Sequence, residues 1–235
     1  MAQNSVIDKL NIKKVLQTAH SALKSNVYLA DIEGEQVVVK DYSQSSLIIR
    51  ETLCLFILKR EIRTLQKLSG IQGVPEYLGD LGPYAYKMEY VEGTIPSDEQ
   101  LATMQGLLSQ LQTIIANMHL AGVTHNDTRA NNLIIGSNGQ LYLIDFGAVF
   151  SRPRSFSLIS KPGHWLFNYL THTDRSKVAR LKQRYCPEEL SNEDKQLIEK
   201  TQLARKITKL WKKHVLPVIS PQKHKKNKSS QAPEN

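Results

Sequence analysis

The sequence has no apolar run approaching the roughly 18 residues that a bilayer-spanning helix needs, so no transmembrane segment is expected. It has only two cysteines, Cys54 and Cys186, far apart in the chain. That excludes a disulfide framework or a thiolate metal cluster and fits a reducing compartment. The opening Met1-Ala2-Gln3-Asn4 lacks the charged-then-apolar pattern of a secretion signal. Together these absences point to the cytoplasm. Acidic residues are almost missing from residue 200 onward, where ten Lys/Arg face Glu234 alone. The whole chain has 31 basic and 22 acidic residues, so the part before residue 200 carries 21 of each and is neutral. A basic tail on a neutral body suits the phosphates of nucleic acid or of an anionic membrane face, or is simply solvated. The 235 residues, 40% of them hydrophobic, suffice for one two-lobed domain or two small ones.

What the sequence does have is concentrated between residues 125 and 147. Asp127 and Asn132 are 5 residues apart in His125-Asn126-Asp127-Thr128-Arg129-Ala130-Asn131-Asn132, and Asp145 follows 13 residues later in Ile144-Asp145-Phe146-Gly147. Leu133-Ile134-Ile135-Gly136 and Leu141-Tyr142-Leu143-Ile144 are apolar and flank an Asn138-Gly139 pair, which predicts a β-hairpin with a tight two-residue turn. Asn132 then precedes one strand and Asp145 ends the other, so an amide and a carboxylate converge. Hard cations such as Mg²⁺ take oxygen ligands of this kind, with nucleotide phosphates completing the shell. Asp127, on the loop just before, is placed to accept the proton of an attacking hydroxyl.

This run resembles the catalytic loop and metal-binding motif of the protein-kinase-like superfamily. The resemblance covers residues 21–147 well and implies an α+β, bilobal fold. It has a small antiparallel-sheet N-lobe with one helix over 1–90, a reduced and mainly helical C-lobe over 91–216, and a basic tail over 217–235. It implies ATP as cofactor, with Asn132 and Asp145 holding Mg²⁺ or Mn²⁺ and Asp127 as catalytic base. Arg129 stands where most kinases have the lysine that neutralises the transferred phosphoryl. Lys40, closing the strand Gln36-Val37-Val38-Val39-Lys40, resembles the lysine that holds the α- and β-phosphates; the kinase pattern favours Glu61 as the carboxylate that fixes it, with Glu51 the alternative. Tyr84 to Gly93 resembles the kinase hinge. There the main chain of Glu89 and Val91 would read adenine, Met88 would be the gatekeeper, Val27 and Val38 the lid, and Ile134 the floor. The phosphate-covering loop of ordinary protein kinases is glycine-rich, yet no glycine lies between 21 and 30. Lys24-Ser25-Asn26-Val27-Tyr28 looks instead like the loop of the atypical RIO kinases, with Ser21 or Ser25 available for phosphate.

Elsewhere the apolar spacing predicts an amphipathic helix around Val6 to Leu16, strands over 21–30 and 36–40, and a helix from Leu47 to Leu68. A further long helix is expected to start at Ser97 with a capping box to Gln100 and to run through Met118. Only 36 residues separate Val91 from Asp127, fewer than the inserted helices of aminoglycoside and choline kinases require. No Ala-Pro-Glu segment follows Gly147, so the peptide platform of ordinary protein kinases is missing. Arg152 and Arg154 are candidates for an acidic or phosphorylated group, or are simply solvated. A helix is expected over Asp174 to Arg184, and a last basic one after Ser191 or Asn192. The resemblance points to the small branch of RIO kinases, the kinase partner of the tRNA-modification complex, and lipopolysaccharide-core kinases. The expected activity is transfer of the ATP γ-phosphoryl to a protein Ser/Thr hydroxyl. The alternatives are a saccharide hydroxyl at the inner membrane face and an ATPase switch on an RNA or protein assembly.

Overall fold

A computed structural model of the chain describes residues 10–21, 24–45, 47–154 and 160–201. The N-terminal region is a five-stranded antiparallel sheet. Its strands are β1 Asn11–Gln17, β2 Asn26–Ile32, β3 Glu35–Asp41, β4 Tyr77–Asp80 and β5 Ala85–Glu89, in the order β1-β2-β3-β5-β4. Strand alternation divides the sheet by face. Val27, Val38, Lys40, Tyr86 and Met88 share one face through the pairings Val27↔Lys40, Val38↔Met88 and Lys40↔Tyr86. Ala30, Val37 and Val39 build a small second core on the other, covered by Leu10, Ile12, Tyr28 and Leu81.

The helix expected near the N-terminus is a strand where it is described. Ile12, Val15 and Leu16 have spacing compatible with either structure, and pairing with β2 decides. β1 is an edge strand with two register shifts, leaving Val15 and Leu16 exposed. The strand expected over 21–30 begins only at Asn26, and the described residues 18–21 and 24–25 before it are not strand.

The helix expected over 47–68 is present but not uniform. A turn of α-helix, α1 Leu47–Ile49, passes through π-helical Arg50–Cys54 into α2 Leu55–Leu68. α2 turns Leu58, Glu61, Leu65 and Leu68 inward.

A short link leads to the C-terminal region. The Ser97 capping box forms as expected, with Gln100 N–H on Ser97 Oγ at 3.1 Å and Ser97 N–H on Gln100 Oε1 at 2.9 Å. The long helix it should open is two, α3 Asp98–Thr103 and α4 Leu107–Leu120. The break falls at Gly106, whose φ of 78° no α-helix admits. Glu189, 83 residues away, accepts the Gly106 N–H at 2.9 Å and so fixes the start of α4. α4 buries Leu107, Leu108, Leu111, Ile114, Ile115 and Met118, each stabilising by about 1.5–3 kcal/mol.

Two small sheets follow, β6 Gly93–Thr94 with β8 Leu133–Gly136 and β9 Leu141–Leu143, and β7 Val123–Thr124 with β10 Phe150–Ser151. A long helix, α5 Lys161–Tyr185, extends well before the expected start at Asp174. Helical residues 192–201 are capped reciprocally by Ser191 and Asp194. The rest of the predicted basic helix and the tail lie outside the described residues. Among the described residues no helix is long and apolar enough to cross a membrane. The architecture is α+β, an antiparallel-sheet N-terminal region over a helical C-terminal part, consistent with a kinase-like bilobal fold.

Candidate active site

Lys40 sits on β3 facing the second region, with 7% of its surface exposed. Its Nζ lies 3.4 Å from Glu61 Oε2 and 3.5 Å from Asp145 Oδ1. Burial works against its charge, but Glu61 and Asp145 outweigh burial and hold the Lys40 pKa above its ordinary value. Glu61 comes from α2 and is 1% exposed. It also accepts the Tyr86 hydroxyl at 2.8 Å. The other carboxylate weighed for Lys40, Glu51, is engaged elsewhere, by Arg50 at 3.6 Å and by the Tyr84 hydroxyl. Tyr42, just after β3, is buried near Glu61 and Ser25. Burial and then Glu61 push its hydroxyl pKa far up.

The hairpin brings Asn132 and Asp145 together. Leu133 pairs with Leu143, and Ile144 N–H donates to the Asn132 carbonyl at 2.9 Å. The turn is a residue longer than expected. Gly136 N–H reaches Gln140 C=O at 2.9 Å around Ser137-Asn138-Gly139, and Gly139 takes a φ of 77°. Asp145 itself has a φ of 66°, rare for a non-glycine residue and typical of functional sites. Its carboxylate accepts Gly147 N–H at 3.3 Å. Burial would raise its pKa, but Lys40 and that N–H hold it below the usual carboxylate value.

Asp127 lies between Arg129 and Asn132. Arg129 Nε donates to Asp127 Oδ1 at 2.6 Å, and Asn132 Nδ2 donates to the Asp127 carbonyl at 2.7 Å and to its Oδ2 at 3.1 Å. With its amide nitrogen so used, Asn132 keeps its Oδ1 for a ligand. His125 is fully buried and lies edge-on to Phe146, their centroids 5.4 Å apart. Its Nδ1 accepts Asp127 N–H at 3.3 Å, so Nε2 donates to Ile144 C=O at 3.1 Å. Burial lowers its pKa and keeps the ring neutral. It ties the Asp127 loop to the segment between β9 and Asp145.

The residue that sequence reasoning missed is Asp174. From α5, with no exposed surface, it accepts His125 N–H at 2.7 Å, Asn126 N–H at 2.8 Å and His119 Nε2 at 3.2 Å. Lys177, one turn on, donates to the Asn126 carbonyl. Asn126 has a φ of 67°, and these bonds hold it there. A signal was present, since Asp174 stands in the inward-facing series Phe167, Asp174, Val178 of α5.

Of the remaining predicted positions, Val27, Val38 and Met88 share the sheet face of Lys40. Met88 and Val38 are buried, and Val27 and Ile134 are half-buried. Met88 and Val38 pair directly across β5 and β3. Glu89 N–H is used by Glu76 C=O at 2.8 Å, whereas Val91 N–H has no acceptor among the described residues. Ile134 lies close to the chain just past Val91, since a Cβ on Gly93 would come within 2.7 Å of its Cγ2. Ahead of β2, Ala19 N–H donates to Asn26 Oδ1 at 2.8 Å.

The donors fit a hard divalent cation. Asp145 offers an ionised, half-exposed carboxylate and Asn132 a carbonyl oxygen, the ligand chemistry of Mg²⁺. Among the described residues no three His, Cys, Asp or Glu side chains gather into a metal cage.

No protein-family model matches the chain. Parts of it are similar to curated protein kinases. It is 32% identical over 135 residues to CBL-interacting serine/threonine-protein kinase 21 of Arabidopsis thaliana, covering 54% of this chain and 32% of that one. It is 30% identical over 149 residues to serine/threonine-protein kinase cek1 of Schizosaccharomyces pombe, covering 59% and 11%. It is 28% identical over 151 residues to serine/threonine-protein kinase PrkC of Bacillus subtilis, covering 57% and 22%. The chain thus matches a third or less of the length of these three relatives. Partial similarity to several serine/threonine kinases supports a place for this chain in the protein-kinase-like superfamily.

Proposed function

We propose that the chain is an ATP-dependent phosphotransferase, and within that class an atypical protein kinase acting on serine or threonine hydroxyls. The observation that carries the reading is Lys40, nearly buried and held between Glu61 and Asp145 at 3.4 and 3.5 Å. A buried ion pair is seldom the most stable way to fill a core, so its presence beside Asp127 and Asn132 argues for ligand chemistry. Lys40 steadies the α- and β-phosphates. Asn132 Oδ1 and Asp145 hold Mg²⁺ or Mn²⁺, which when bound with ATP neutralises the charge of the phosphates. Asp127 orients the acceptor hydroxyl and takes its proton, and Arg129 balances charge on the transferred group as a guanidinium fork. Val27, Val38, Met88 and Ile134 enclose the adenine, with the main chain of Glu89 and Val91 as its polar partners. The lack of glycine between residues 21 and 30 supports the RIO-like branch.

One observation favours a second reading. Only 13 residues separate Gly147 from Lys161 at the start of α5, and none forms an Ala-Pro-Glu segment. Room for a peptide platform is short, which suits a saccharide hydroxyl or an ATPase switch. Purified protein incubated with γ-labelled ATP and Mg²⁺ separates these. Label on protein, absent in Asp127→Ala and Asp145→Ala, supports the protein kinase. Free phosphate without labelled protein supports the switch. Label only on an added saccharide supports the sugar kinase. Absence of ATP binding contradicts all three. The basic stretch after residue 200 is proposed to bring the enzyme to an anionic membrane face or to RNA. Vesicle and RNA binding across a salt series, with and without that stretch, tests this.

A further inference from the structure

The C-terminal end of α4 carries more positive charge than its surroundings balance. Lys67 Nζ donates to the Gly122 carbonyl at 3.3 Å, and Arg152 N–H donates to the same oxygen at 2.9 Å. The Arg152 guanidinium donates to His119 C=O at 3.3 Å and lies 4.5 Å over the Phe167 ring. Arg154 follows on the exposed surface. Among the described residues none of the three cations is paired with a carboxylate. Lys67 feels the crowding: partial burial, then Arg152, then Arg154 draw its pKa below the ordinary lysine value. A helix C-terminus offers only about half a negative charge, so most of the charge of three cations is left over. A solvated surface arginine would swing freely, but the Arg152 guanidinium is held by one hydrogen bond to a main-chain carbonyl and by the Phe167 ring.

A groove of about 480 Å³ opens beside it between α4 and α5. Its apolar surface comes from Ile115, Ala116 and Leu120 on one side and Phe167 and Val178 on the other, with Arg152 on the wall. That volume lies in the range of small-molecule sites. Asp194, also on the wall, is already satisfied by the N–H and hydroxyl of Ser191 at 3.1 and 2.9 Å.

We infer that this groove binds an amphipathic phosphate ester, its dianionic head on Lys67, Arg152 and Arg154 and its apolar body between α4 and α5. The site is separate from the Lys40 cleft and stands whether or not the chain is a kinase. The probe is 1-naphthyl phosphate, titrated calorimetrically into the full chain with Mg²⁺·ADP present in excess to keep the probe out of the nucleotide cleft. The ester is expected to bind at least about tenfold more tightly than inorganic phosphate or 1-naphthol, a difference of about 1.4 kcal/mol. Two variants are expected to weaken it by about tenfold or more each. Lys67→Gln/Arg154→Gln removes exposed charge, and Ala116→Trp fills the groove. An unchanged melting temperature in the double variant shows that the fold is intact. No binding of the ester at about 1 mM, binding as tight for inorganic phosphate, or binding that survives either variant overturns the inference.

Discussion

Two buried carboxylates organise the molecule, and they do opposite work. Glu61, in the N-terminal region, holds a cationic side chain, Lys40, and the hydroxyl of Tyr86. Asp174, in the C-terminal region, holds the main chain, taking the amides of His125 and Asn126 and one ring nitrogen of His119. The first network positions a tool that must meet a ligand. The second fixes the backbone on which the tools stand. A carboxylate that binds amides in a dry interior is hard to replace, because its loss leaves several donors unsatisfied at once. One that holds a lysine still shared with Asp145 is easier to lose structurally and harder to lose chemically.

The largest expected effect is therefore structural. Asp174→Ala should cost about 3–5 kcal/mol of unfolding free energy, read by urea denaturation, and a cost below about 1 kcal/mol would break the contrast. Glu61→Gln should do the reverse. It should lower phosphoryl transfer about a hundredfold, some 2.7 kcal/mol, while costing less unfolding free energy than Asp174→Ala, because Asp145 still pairs Lys40 and the Gln oxygen can still accept a hydrogen bond. A large stability loss instead would make Glu61 another structural anchor. A pH series sharpens the C-terminal half of the comparison. Burial lowers the His125 pKa from the ordinary 6.5. Its contribution to stability is full above pH 6.5 and is lost as pH falls through the lowered folded value, because the unfolded ring binds its proton first. Wild type should therefore lose stability on acidification in that window at up to about 1.4 kcal/mol per pH unit, and His125→Gln should show a flatter profile. Equal slopes would deny His125 its buried, neutral role. The smallest effect is Tyr86→Phe, which removes one hydrogen bond to Glu61 and should cost about 1 kcal/mol, measured by denaturation.

The same contrast explains how far the sequence could be read. Asn132 and Asp145 were legible because strand alternation and an Asn-Gly turn are local signals, and their convergence follows from hairpin geometry. Lys40 was legible for a similar reason, as a charge closing three valines. Glu61 was favoured over Glu51 only through the kinase resemblance, and the structure pairs Lys40 with Glu61 while Arg50 and Tyr84 take Glu51. Asp174 was not legible because its partners lie 48 to 55 residues away. Its place in an apolar series was the one local trace. Nonlocal contacts also account for the other misreadings. β1 is a strand because β2 offers it an edge, and the helix after Ser97 breaks where Glu189 caps Gly106.

The central claim is that Asn132, Asp145 and Lys40 form a metal–nucleotide site, and the most direct test is calorimetric titration of ATP with and without Mg²⁺. ATP is expected to bind, about tenfold or more tightly with Mg²⁺ than without it, and that Mg²⁺ dependence is expected to be lost in Asp145→Ala. Absence of ATP binding up to about 1 mM, or binding indifferent to both Mg²⁺ and Asp145, would contradict it.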